Sequence, residues 1–271
     1  MAIEIQPRDL RIMRHVFAHR VLTYDQIGRR FFPRNYETVA RNRIRKLVKH
    51  GYFRSFGAEK KERLIRCLSL SEKSWPLISE KWGFDVDNPH FRSESAEHDF
   101  RLAEVALKFE VLQSFVRFLP ENLLQSSSTL ASDPLFRDAI NLQSDGVLIL
   151  KGNDGGKVLY AVEYEISKKS PDRYLRKLTG YYQAGGIDGV LYVCGNREIT
   201  SAVAQADRKA RTGNESIVFL SGESSVLKSE TKIIFNGVDD GGIGLQLNPN
   251  QGISRTTNLP QFSVSGTTEA I

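Results

Sequence analysis

Apolar residues in the first fifty positions recur at helical spacing, in three separate runs. From Pro7 to His19 the spacing brings Leu10, Met13, Val16 and Phe17 to one side. Thr23 and Gln26 then form a capping box, in which hydroxyl and amide satisfy exposed backbone groups. It opens a short helix, Tyr24 to Phe31, that turns Ile27 and Phe31 inward, and Pro33-Arg34-Asn35 breaks it. A third helix is predicted from about Tyr36 to Lys49, with Val39, Ile44, Leu47 and Val48 on its core side. Its other faces show Arg41, Asn42, Arg43, Arg45, Lys46 and Lys49. Gly51 supplies a left-handed stop. Two strand-like runs follow, Tyr52–Phe56 and Leu64–Leu70, around the charged turn Gly57–Arg63.

Beyond that hairpin, residues 71–83 predict one more helix, with Trp75 and Trp82 as packing residues. Residues 84–94 read as a linker, because Asp85, Asp87, Asn88 and Pro89 favour turns. A long helix, Ser95 to Ser114, carries Leu102, Val105, Ala106, Phe109 and Leu112 along one side. A strand from Phe115 to Leu119 comes next, and residues 122–143 show no clear period. Thereafter the pattern sharpens: strand Gly146–Leu150, turn Gly152–Gly156, strand Val158–Ile166, helix Tyr174–Ala184 and strand Gly189–Cys194. A helix over about Ile199–Arg211 and a strand Ser216–Leu220 follow. A hairpin feeding strand-helix-strand units predicts a mixed sheet flanked by helices, an α/β domain in a chain that is α+β overall. After Gly237 the chain becomes rich in Gly, Asn, Ser and Thr, which predicts a flexible tail over 238–271.

Charge distribution changes the meaning of the first segment. Residues 1–70 hold 17 Lys and Arg against 6 Asp and Glu, while the remaining 201 hold 21 against 26. So concentrated a positive charge attracts polyanions and gains from counterion release on a phosphate backbone. Helix, helix, basic helix and hairpin is the layout of a winged helix-turn-helix, predicted for residues 1–83. The third helix would enter the major groove through Arg34, Asn35, Arg41, Asn42, Arg45 and Lys46, with Lys60, Lys61 and Arg63 at the wing tip. The alternative is a small helical domain with a solvated basic face. No apolar run is long enough for a membrane helix, and the N-terminus lacks the layout of a signal peptide, so the expectation is a cytoplasmic protein. The two cysteines, Cys67 and Cys194, lie far apart in apolar runs and read as buried free thiols.

The residues with chemistry cluster in the predicted second domain, 95–237. Asp145 stands where the first hairpin strand begins, and Glu163 and Glu165 are two apart on the next, so they share a face. Two like charges there repel, and a hard divalent cation such as magnesium or manganese would relieve them. Lys168 lies just past the strand and is expected within reach of the same pocket. The competing reading is an exposed acidic strand edge with lysines alongside. His98 and Asp99, early in the long helix, serve either as supporting site residues or as an N-terminal charge pairing. His15 and His19 are four apart with no third ligand nearby, so a histidine-triad metal site is not expected. Tyr174 and Tyr181 sit at helical spacing and read as packing residues or DNA-backbone contacts.

Asp145, a hairpin, Glu163-Tyr164-Glu165 and a nearby lysine resemble the PD-(D/E)XK nuclease superfamily, built on an α-β-β-β-α-β core. Two departures stand out: Ser144 where that pattern has Pro, and Glu165 where it has Lys. Three stretches together resemble the MOBC family of conjugative relaxases and related replication-relaxation proteins. They are His98-Asp99-Phe100-Arg101, Ser144-Asp145-Gly146-Val147 and Glu163-Tyr164-Glu165-Ile166-Ser167-Lys168, trailed by Tyr174, Lys177 and Tyr181. The resemblance, spanning about residues 8–220, implies a protein that nicks an origin of transfer with magnesium or manganese. Its partners would be duplex DNA, the scissile single strand, an accessory mobilisation protein and a coupling ATPase. It implies Asp145, Glu163 and Glu165 as metal ligands, Lys168 as the catalytic cation, and His98 and Asp99 in support. Two rivals remain: a non-enzymatic replication or transcription regulator on a degenerate nuclease fold, and an endonuclease of restriction type that cuts both strands.

Overall fold

A computed structural model describes residues 3–32, 36–60, 63–79, 85–91, 93, 95–239 and 241–248. The N-terminal unit runs α1 (Pro7–His19), β1 (Val21–Thr23), α2 (Tyr24–Phe31), α3 (Arg41–Lys49), β2 (Phe53–Lys60) and β3 (Arg63–Leu70). The Thr23 box forms as expected: its hydroxyl accepts from Gln26 N, and the Gln26 side chain accepts from Thr23 N. Gly51 takes the left-handed φ of 77° that ends α3. Strand β1, too short to show a period, pairs with β3 and completes an antiparallel sheet of order β1-β3-β2.

A π-helical turn, Tyr36–Ala40, leads into α3 and shifts its inner face. A π turn spans an extra residue, so Ala40, Ile44 and Leu47 become the buried stripe, while Val39, expected inside, is 45 % exposed. The helix expected over 71–83 reduces to a 3-10 turn, Glu72–Ser74, and one turn of α4 (Trp75–Ile78). Trp82 lies outside the described residues.

The second unit comprises α5 (Ala96–Phe109), β4 (Phe115–Pro120), α6 (Glu121–Ser126), α7 (Ser128–Ser132), α8 (Pro134–Asn141), β5 (Gly146–Lys151), β6 (Lys157–Glu165), α9 (Pro171–Gln183), β7 (Gly189–Cys194), α10 (Arg197–Ala210), β8 (Val218–Gly222), α11 (Glu223–Lys228), β9 (Lys232–Gly237) and β10 (Gly242–Gln246). Its seven-stranded sheet has the order β10-β9-β8-β7-β6-β5-β4, parallel across β6, β7 and β8 and antiparallel elsewhere. The mixed sheet flanked by helices is therefore present, beside the small three-stranded one. On one face α5 and α11 pack on Leu148, Val162, Tyr164 and Leu191. On the other, α9 and α10 cover Ala161, Val190 and Tyr192, and α6 to α8 cover Val147, Ile149 and Leu159.

Three expectations need correction here. The helix opening at residue 95 stops at Phe109, and Leu112 instead bridges to Leu247. The stretch 122–143, aperiodic in sequence, is largely three helices of eight residues or fewer, too short to display a face; Ser127 caps α7 and Asp133 caps α8. The expected tail at 238 begins with a hairpin, because Gly242–Gln246 pairs with Lys232–Gly237, and residues 249–271 lie outside the described part.

The expected linker is packed against both units. Val86 and Phe91 join the N-terminal core, which also takes in Ala103 of α5 and Leu123 of α6. Asn122 donates to the carbonyls of Phe17 and His90, and the amides of Asp87 and Asn88 reach Ser126 O. Gln26 Nε2 donates to Phe100 O at 2.6 Å and to Glu104, which also pairs with Arg29. Arg20–Glu121 and Arg30–Glu110 add two more bridges between the units. Both cysteines are free and buried, as expected.

Candidate functional site

Register brings the acidic residues together. Gly146 faces Val162 across β5 and β6, so Asp145, one residue earlier, meets the end of β6. Tyr164 N donates to Asp145 Oδ2 at 2.7 Å. Strand alternation sends Tyr164 into the α5 side and Glu163 to the α9 side, where Tyr192 of β7 lies beside it in parallel register. Helix α9, capped by Ser170 with Pro171 at its first position, buries Tyr174, Leu178 and Tyr181 against the sheet. Lys177 lies on that side of the helix, so both it and Tyr181 reach Glu163. Lys177 Nζ is 2.5 Å from Glu163 Oε2, and Tyr181 donates its hydroxyl to Oε1 while sharing a 2.6 Å contact with Ser144 Oγ.

His98, in the first turn of α5, completes the cluster from the opposite side. Its Nε2 lies 3.0 Å from Tyr164 O and 3.4 Å from Asp145 Oδ2, and its Nδ1 is 3.5 Å from Asp99 Oδ1. Burial alone would lower its pKa, but the carboxylates of Asp145 and Asp99 outweigh it and raise the imidazole to about 10. Burial would likewise raise Asp145, yet His98, Lys177 and the Tyr164 amide hold it below the usual carboxylate range. Glu163 responds the other way: burial, with Asp145 adding repulsion, pushes it up to about 8 against the pull of Lys177. For Lys177 burial opposes charging, but Glu163 and Asp145 prevail and its pKa is raised. Two buried polar atoms at the cluster, Asp99 Oδ2 and Tyr192 OH, have no hydrogen-bond partner among the described residues. Burial and the surrounding carboxylates, Glu163 first among them, raise the Tyr192 phenol well above its ordinary value.

Asp145, Glu163, His98 and Asp99 are thus gathered at one end of the sheet. Lys168 is not among them. It is half-exposed and lies 3.7 Å from Glu198 at the start of α10, because the chain turns away from the sheet after Glu165. The cation at Glu163 is Lys177, fourteen residues further on. Its one sequence signal was the helical stripe Tyr174, Lys177, Tyr181. Glu165, at the strand end, is 3.8 Å from Lys169 and raised in pKa, chiefly by burial. Among the described residues no three His, Cys, Asp or Glu side chains are gathered closely enough to hold a metal ion. Both Glu163 oxygens are taken by Lys177 and Tyr181. Tyr174 and Tyr181 are both buried, as packing residues would be, but the Tyr181 hydroxyl also belongs to the cluster. His19 is buried and His15 half-buried on α1, their rings 4.6 Å apart.

The basic surface divides along α3. Asn42, Lys46 and Lys49 form one exposed stripe, while Arg41 and Arg45 form another that lines a cleft of about 980 Å³ between the units. Arg43 is tied down by Asp9 and Glu4 O. Arg34, Asn35 and Lys61 lie outside the described residues. Lys60 and Arg63 pair at the hairpin end, and only their backbones are described. No helix among the described residues is long and apolar enough to cross a membrane. No family model matches this chain, and neither the curated proteins nor the solved structures contain a match to it.

Proposed function

We propose that this chain binds DNA through α3 and the β2–β3 hairpin and nicks one strand at the cluster of Asp145, Glu163 and Lys177. The observation that carries the catalytic part is the buried Lys177–Glu163 contact beside Asp145. It sets two carboxylates and an ammonium at the end of a central hairpin, the residue types that phosphodiester cleavage uses. The order α5-β4-β5-β6-α9-β7 supports the resemblance to an α-β-β-β-α-β nuclease core, with α6 to α8 inserted after β4. Lys177 would then supply, from the helix, the cation that Glu165 displaces from the strand. The order α1-β1-α2-α3-β2-β3 supports a winged helix-turn-helix, and the exposed basic stripes of α3 support its use on DNA.

Asp145 and Glu163 are the residues that would hold a hard cation once Glu163 gave up its present partners, because magnesium often takes only one or two carboxylates. A magnesium or manganese ion held there would supply a polarised water and neutralise charge on the phosphate. Metal and Lys177 would compete for Glu163. Lys177, beside Glu163, would meet the phosphate, while His98 and the Tyr164 amide fix Asp145 from behind. On this reading the chain acts in the cytoplasm at an origin of transfer, with an accessory mobilisation protein and a coupling ATPase.

A second reading, a non-enzymatic regulator, is favoured by the engagement of both Glu163 oxygens. The deciding experiment incubates the protein with manganese or magnesium and supercoiled plasmid carrying the DNA that flanks its own gene. Open circles made by the wild type but not by Glu163→Ala or Lys177→Met support nicking, and linear product would point to a double-strand endonuclease. Binding without cleavage by the wild type would leave the regulator as the function.

A further inference from the structure

The cleft between the units separates two jobs on one helix. Its N-terminal wall carries Arg41 and Arg45 of α3 and Arg66 of β3, all exposed and without an ion pair among the described residues. The acidic residues of the cleft are spoken for: Asp25 and Glu104 hold Arg29, and Glu223 holds Arg101. Three guanidiniums with no ion pair among the described residues therefore set the charge of one wall. Tyr24, half-buried with its hydroxyl on Ser55, offers an aromatic face at the same wall. The opposite wall is α5 and α11, and the floor is bolted by Gln26 to Phe100 O and by Arg29 to Glu104. Those bonds keep the walls together, so Arg41 and Arg45 face the second unit, whereas Asn42, Lys46 and Lys49 face outward.

We infer that this cleft holds a single strand of nucleic acid, its phosphates on Arg41, Arg45 and Arg66 and a base against Tyr24, while the outer stripe of α3 holds duplex. Guanidiniums interleaved with an aromatic ring suit an unpaired strand, because every base has a stackable face. The cleft shares α5 with the acidic cluster. Arg101, which lines the cleft, is three residues past His98 on α5, and Glu223 bonds both Arg101 and Tyr164. The inference rests on the DNA-binding reading above.

The test measures fluorescence anisotropy of the full chain with labelled oligothymidylate and with a labelled duplex of equal length. Arg45→Ala/Arg66→Ala is compared with Lys46→Ala/Lys49→Ala. All four side chains are exposed, and matching urea midpoints confirm folding. The inner pair is expected to weaken single-strand binding at least about tenfold and make its log–log salt slope shallower by about 1.4, with duplex binding little changed. The outer pair is expected to do the reverse. Equal losses on both ligands after the inner change, or no loss on either, would overturn the inference. So would a wild type that binds duplex and ignores the single strand, which leaves the DNA-binding reading standing. A wild type that binds neither overturns both.

Discussion

Glu163 on β6 and Lys177 on α9 meet with 2.5 Å between carboxylate and ammonium, and the glutamate side chain is only 2 % exposed. Above the raised Glu163 pKa this is a charge pair, expensive to assemble at such depth and more expensive to break, because a lone buried ion keeps its desolvation penalty and loses its compensation. The contact is thus both the centre of the candidate site and a point of structural vulnerability.

At about pH 9, where Glu163 is ionised, Lys177→Met is expected to destabilise the protein by about 3 kcal/mol, the lower end of what breaking a buried pair costs. Adding Glu163→Gln should recover part of that loss, since a neutral amide no longer needs the ammonium. Urea unfolding of the two single variants and the double variant measures the coupling, and strict additivity would show that the pair does not act as a unit.

Stability should decline on the alkaline side. The folded pKa of His98 is raised to about 10, so its contribution is complete below about 6.5 and fades as pH climbs toward 10. Glu163, raised to about 8, binds its proton more tightly folded than unfolded, so its contribution also falls between about 4.5 and 8. Urea midpoints from pH 6 to 9 should drop for the wild type and drop less for Glu163→Gln. A wild-type profile flat across that window would refute the assignment.

The acid side has a different source. His15 and His19 pack ring against ring on α1, and desolvation, with Arg30 adding repulsion, lowers both pKa values, His19 to about 3. A depressed histidine holds fewer protons folded than unfolded, so stability is complete above about 6.5 and is lost as pH falls below it. His19→Leu should flatten the limb between pH 6 and 4, read by thermal melts. Its ring also stacks on Phe118, so a modest loss of stability at neutral pH is expected as well.

The two units should unfold together. Glu104 accepts from Gln26 and Arg29 across their boundary, and Glu104→Ala leaves both donors without that acceptor, for an expected loss of about 1–3 kcal/mol. Hydrogen exchange should report raised opening rates in both α2 and α5. Exchange confined to one of them would mean that the boundary is not a load-sharing contact.

Periodicity and capping made the long elements readable from sequence alone. Helices α1, α2 and α10, the β5–β6 hairpin and the Gly51 stop all depend on interactions within a few residues, and local patterns report local physics. The same patterns showed the acidic residues of β6 on one face and the concentration of arginine near α3. Short elements such as β1 and α6 to α8 escaped because their lengths hold too few periods. Strand β10 was hidden by the Gly-rich composition after Gly237, and its pairing with β9 is not legible from either segment alone.

Tertiary structure alone decided the partners. That Lys177 rather than Lys168 meets Glu163 depends on how α9 is rotated on the sheet. That His98 reaches Asp145 depends on where α5 begins relative to the end of β6. The division of α3 into an outer and an inner basic stripe depends on the second unit packing against the first. Each of these is a distance between residues 14 to 66 positions apart or on different elements, set by packing over a shared core. Spacing along the chain specifies which face a residue occupies, and only the packed core specifies what that face meets.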